Sequence, residues 1–163
     1  MILGMSLETF TLVHVIISLI AIVAGLVVMF GMLGSKPQDG LTAIFLLFTI
    51  LTSATGFLFP FKGLTPGLII GALSLVLLAI ACIALYVQKL AGPWRWIYVL
   101  TALVSLYLNV FVLVIQSFLK IPALSAIAPG NPPSGPVFAV VQGIVLVFFV
   151  LMIIGVWRRF RPA

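Results

Sequence analysis

Hydrophobic positions in this chain gather into five long, uninterrupted runs instead of alternating with polar ones. The runs cover Phe10–Leu33, Leu41–Phe59, Pro66–Val87, Trp96–Leu119 and Pro136–Trp157, and none contains Asp, Glu, Lys or Arg. A bilayer core about 30 Å thick needs about 20 apolar residues per helix. Each run therefore predicts a membrane-spanning α-helix, since lipid offers backbone N–H and C=O groups no other partner. The prolines agree. Eight of the ten fall between runs or in the tail, while Pro66 and Pro136 each open a run, where a missing N–H is harmless. The predicted fold class is all-α: one integral membrane domain over residues 1–163, built as a five-transmembrane-helix bundle. A loop at 120–135 joins the last two spans. Its four prolines and two glycines rule out regular helix through its second half, and Ile121, Leu124 and Ile127 suit it to lie on the membrane surface or cap the bundle.

Composition sharpens this reading. Hydrophobic residues make up 64% of the chain and charged residues 6%, against roughly 45–50% and 25% in soluble domains. The net charge of +6 is spread over short connections with no basic stripe, which excludes nucleic acid as a partner. It acts instead as a topology signal. Lys36, Lys89, Arg95, Arg158, Arg159 and Arg161 fall on one side of the predicted bundle, and Lys62 and Lys120 on the other. The positive-inside rule puts the first group in the cytoplasm, with the N-terminus out and the C-terminus in. Trp94, Arg95, Trp96, Trp157, Arg158 and Arg159 are the expected membrane-interface anchors. The first run lacks a basic leader and is too long for a signal-peptide core, so it is expected to stay in the mature protein.

Polar side chains inside the runs are few, and most gather toward the outer end. The first run carries Thr11, His14 and Ser18; the second Thr49, Thr52, Ser53 and Thr55; the third Ser74; the fourth Thr101, Ser105, Asn109 and Gln116; the fifth Gln142. Three readings fit this layer: interhelical hydrogen bonds that hold the bundle together, a pocket open to the outside, or a polar patch facing another subunit. If it is a pocket, the expected lining is His14, Ser18, Thr52, Thr55, Asn109, Gln116 and Gln142. Small residues spaced by four, Ala21/Gly25, Gly67/Gly71 and Ala139/Gly143, predict close helix approach.

Several chemistries lose their footing. His14 is the only histidine and Cys82 the only cysteine, so an internal disulfide, a CxxC metal site and a bis-histidine haem within one chain are excluded, while one axial His with a different ligand, or a His from a second chain, stays open; metal-assisted hydrolysis is disfavoured. Glu8 and Asp39, the only carboxylates, lie outside the runs, which disfavours ion-coupled transport. No nucleophile is visibly paired with a base, so enzymatic activity is disfavoured.

Two segments carry a resemblance. Thr52–Phe61 reads TSATGFLFPF and Leu106–Gln116 reads LYLNVFVLVIQ. Together they resemble a group of small, uncharacterised bacterial inner-membrane proteins. The resemblance implies a bacterial inner-membrane location, with the outer side being periplasm, and implies no activity. The leading expectation is a non-enzymatic accessory subunit or binding module whose periplasmic-side pocket takes a mostly apolar ligand of lipid or quinone type. The alternatives are a small haem- or quinone-linked redox protein and an uncoupled facilitator of a neutral solute. Expected partners are the bilayer and other membrane subunits or a second copy. No cofactor is identified by the residues.

Overall fold

The structure, a computed structural model, describes Gly4 and residues 6–34, 39–58, 66–130, 133 and 135–160, with Asp39, Pro66 and Gly67 described in backbone only. It is an all-α bundle of six helices: α1 Leu7–Leu33, α2 Asp39–Gly56, α3 Pro66–Cys82, α4 Trp94–Lys120, α5 Pro122–Ile127 and α6 Pro136–Arg159. α3 runs on through a π-helical turn at Ile83–Val87. Four helices are long and apolar enough to cross a membrane, and Gly40–Gly56 forms a shorter apolar helix among the described residues. This is the architecture of a polytopic membrane protein. Its surface agrees: Leu12, Val23, Ile69, Val76, Val140, Ile144 and Leu151 are all more than half exposed. In water such a surface would associate; in lipid it is already solvated.

The ends of the helices refine the sequence expectations. α1 begins three residues before the apolar run, because Ser6 caps it: its Oγ accepts from Thr9 N at 3.2 Å. α2 stops at Gly56, and Phe57 and Leu58 turn away from the helix instead of prolonging it to Phe59. The first half of the 120–135 loop is helical, as α5. Ser125 Oγ donates to Phe118 O (2.7 Å), tying α5 to the otherwise unpaired last carbonyls of α4. The edge-on rings of Phe118 and Phe138 then pin the start of α6. Phe59, Pro60, Phe61, Lys36, Lys62 and Arg161 lie outside the described residues.

α4 is the central helix. It packs against α1, α2, α3, α5 and α6, while α6, α1, α2 and α3 follow one another around it. Helix direction alternates along the chain, so one end of the bundle gathers the start of α1, the end of α2, the start of α3 and the end of α4. The opposite end is densely filled. Val28, Met29, Phe45, Leu78, Ala81, Tyr98, Val99, Leu103 and Val156 form a continuous buried core there and at mid-depth. Gly25 makes this possible. A Cβ on it would stand 2.7 Å from Leu106 Cδ1 and 2.8 Å from Phe45 Cδ1, so only glycine lets both side chains meet α1. Of the other spaced small residues, Gly71 is similarly close to Phe57 (3.3 Å), but Gly143 has open space before it and Ala139 is exposed. The pair on α6 therefore packs against no helix among the described residues.

At the filled end, α3 passes to α4 through a short link. Lys89 (φ 52°), Leu90 (φ 60°) and Gly92 (φ 53°) are left-handed, and Leu90 N donates back to Ala84 O at 2.9 Å. Arg95, in the first turn of α4, reaches the end of α6. Its Nη1 donates to Trp157 O (2.9 Å) and Phe160 O (2.8 Å), where the carbonyl end of the helix dipole favours a cation.

Candidate ligand site

At the other end the bundle opens into a cavity of about 570 Å³, within the usual size of ligand pockets, about 300–1,000 Å³. Four helices line it at helical spacing. α1 gives Thr11, His14 and Val15; α2 gives Thr49, Thr52, Ser53 and Gly56, followed by Phe57; α3 gives Leu68, Ile70, Gly71 and Ser74; α4 gives Leu108, Asn109, Val112, Leu113, Gln116, Ser117 and Lys120. The space exists because small side chains, Ser53, Gly56, Gly71 and Ser74, face inward where Phe45, Leu78 and Leu106 fill the bundle further down. Lys120 stands exposed at the mouth. Among the described residues no carboxylate lines the wall.

The hydroxyls are mostly self-contained. Thr49, Thr52, Thr101, Ser105 and Ser117 each donate to the carbonyl four residues earlier on their own helix. Bonds of this local kind need no partner helix. Two side-chain pairs do link helices beside the cavity. His14 Nδ1 lies 2.7 Å from Thr55 Oγ1. Thr55 Oγ1 also reaches back to its own helix, at Leu51 O (2.6 Å). Ser18 Oγ donates to Asn109 Oδ1 at 3.2 Å, joining α1 to α4.

Asn109 carries an unmet demand. It is 9% exposed, and its Nδ2 has no hydrogen-bond partner. Leaving such an amide unpaired away from water costs about 1–3 kcal/mol. Nδ2 is closed off in the structure, but its terminal torsion is soft, and a small rotation would turn the N–H toward the cavity.

The sequence-derived lining divides into three groups. His14, Thr52, Asn109 and Gln116 lie on the cavity wall. Thr55 and Ser18 stand behind it, each holding a wall residue by the bonds just described. Gln142 is not brought to the cavity, and no residue of α6 lines it. Gln142 Nε2 donates instead to Phe111 O of α4 at 3.2 Å, and its Oε1 is unpartnered. Phe111 is two residues from Asn109, about 200° around the helix. The depth of Gln142 suits the cavity, but its direction around α4 does not.

Ser53, Gly71, Ser74 and Lys120 line the cavity without having been expected to. Each left a trace in the sequence: three belong to the polar layer or a spaced small pair, and Lys120 directly follows the fourth run. The expected interface anchors all lie at the filled end. Trp96 and Trp157 are exposed, Trp94 packs on the core, and Arg95 is engaged with the α6 carbonyls. Among the described residues no group of three His, Cys, Asp or Glu side chains could hold a metal ion.

No family model matches the chain, and neither a curated protein nor a solved structure matches it.

Proposed function

We propose that this is a non-enzymatic membrane protein, an accessory subunit or binding module, whose open-end cavity holds a mostly apolar ligand of lipid or quinone type. The observation that carries the reading is the cavity itself: largely apolar, free of carboxylates and containing a buried amide with no partner. That is the usual make-up of a small-molecule site, an apolar wall with a few orienting polar groups.

In this reading α2 is a fifth span. At about 1.5 Å per residue its 18 residues reach about 27 Å, close to the hydrocarbon thickness, and it packs along α1. The protein then sits in a bacterial inner membrane with the cavity facing the periplasm, a location the resemblance of the Thr52–Phe61 and Leu106–Gln116 segments supports. Among the described residues Lys89, Arg95, Arg158 and Arg159 lie at the filled end and Lys120 at the open end, the imbalance expected if the filled end is cytoplasmic.

The alternatives fit less well. A haem would have His14 as its one imidazole, and among the described residues no Met, Cys or Tyr lines the cavity to take a second axial position. For a solute facilitator the cavity would need to continue, yet Phe45, Leu78 and Leu106 are packed beneath it.

Gentle purification from native membranes, followed by extraction and mass spectrometry, tests the binding reading. A co-purifying apolar compound in near-equal amount supports it; bulk lipid in bulk proportions counts against it. For sidedness, cysteines are placed at Lys89 and Ser125 in a Cys82→Ser background. An impermeant thiol reagent added to intact cells should label position 125 and spare position 89. The reverse pattern would invert the orientation.

A further inference from the structure

Asn109, on the cavity wall, carries an unmet donor. Asn109 Nδ2 is buried and unpartnered, while Ser18 already occupies Asn109 Oδ1. The neighbouring hydroxyls of Thr49 and Thr52 give their protons to Phe45 O and Phe48 O and have none left to offer. A ligand that satisfies this depth brings an acceptor. A carboxylate is a poor candidate, because among the described residues no cation stands beside Asn109. Lys120 is eleven residues further along α4, about 16 Å away. A neutral carbonyl suits the position: it accepts, carries no charge and adds no proton that would itself need a partner.

We infer that the ligand enters with a carbonyl oxygen leading, that this oxygen accepts from Asn109 Nδ2, and that the apolar remainder lies against Leu108, Val112 and Phe57. This rests on the binding reading above and names its ligand class: carbonyl-tipped apolar molecules. Isoprenoid quinones and acyl esters of lipids share that chemistry.

The test uses the whole protein in dodecyl maltoside, a detergent without carbonyl groups. Binding of tritiated decylubiquinone, monoolein and dodecanol is measured for the unaltered protein, Asn109→Leu and Gln142→Leu. Asn109→Leu keeps side-chain size and removes the unpaired group, so it should fold, with melting in detergent as the check. Gln142→Leu removes an equally unpaired amide outside the cavity. The expected result is saturable binding of a carbonyl probe, weakened at least tenfold by Asn109→Leu and unchanged by Gln142→Leu, with dodecanol insensitive to both. Decylubiquinone alone would identify the quinone source, and monoolein alone the ester source.

Carbonyl-probe binding that ignores Asn109→Leu would overturn the inference while leaving the cavity a binding site. Absence of saturable binding by all three probes would remove both. The unaltered protein gives an independent answer through the infrared band of a carbon-13-labelled probe carbonyl. A shift to lower frequency on binding supports the hydrogen bond, and an unshifted band overturns it.

Discussion

The two ends of the bundle are built from similarly apolar helices, yet one is packed solid and the other is hollow. At the filled end Phe45, Leu78, Tyr98, Leu103 and Val156 are at most 2% exposed, and each occupies space that its neighbours leave. At the open end Ser53, Gly56, Gly71 and Ser74 stand at equivalent inward positions and leave a void. In lipid, burying a methyl group gives no hydrophobic gain over leaving it outside, so helix association depends on packing. The comparison teaches that side-chain volume at inward positions, not hydropathy, decides which part of a membrane bundle is scaffold and which part is free to bind.

Substitutions can break that contrast, beginning with the most severe. Gly25→Leu should prevent α1 from docking and abolish a monodisperse product in gel filtration. Gly25→Ala, which puts a methyl group against Phe45 and Leu106, should lower stability by about 1–3 kcal/mol, measured by thermal melting in detergent. Leu103→Ala at the filled end leaves a void. With the side chain in oil in either state, the cavity term remains, about 2 kcal/mol. Arg95→Ala frees the last carbonyls of α6 and should cost about 1.5–3 kcal/mol; equal stability of Arg95→Ala and the unaltered protein would show that the cap contributes nothing.

The smallest effects belong to the hollow end. Thr55→Val, which removes the hydrogen-bond partner of His14, should cost about 0.6 kcal/mol. Val112→Trp should be nearly neutral for melting, because its ring enters existing space, while blocking any ligand. If Val112→Trp destabilised the protein as much as Leu103→Ala, the distinction between the two ends would fail.

Much of this was legible in the residues, for physical reasons that also mark the limit. Uncharged runs announce helices because lipid forbids charge and unpaired backbone, and these runs lie within a few residues of the observed helices. Asn109 and Gln116, seven apart, could be placed on one helix face, and they do share the cavity wall. Gln142 could not be placed in the same way. It is the lone polar residue inside its run, and depth without a periodic partner says nothing about direction around the helix axis. The threonine and serine hydroxyls misled differently. They were weighed as interhelical links or pocket lining, but a hydroxyl always has the carbonyl four residues back within reach, and Thr101 and Ser105 use it. Arg95 suggested a headgroup anchor because its bond to α6 joins residues 62 apart in sequence, a proximity that no local pattern encodes.

The left-handed link between α3 and α4 has a mechanical consequence. Non-glycine residues avoid that conformation by about 1–2 kcal/mol each, so holding Lys89 and Leu90 there makes the joint tight and resistant to stretching. The start of α4 is thereby held against the end of α3, so the spacing of these two helices is fixed by the chain itself at the packed end, and only side-chain volume sets it at the open end.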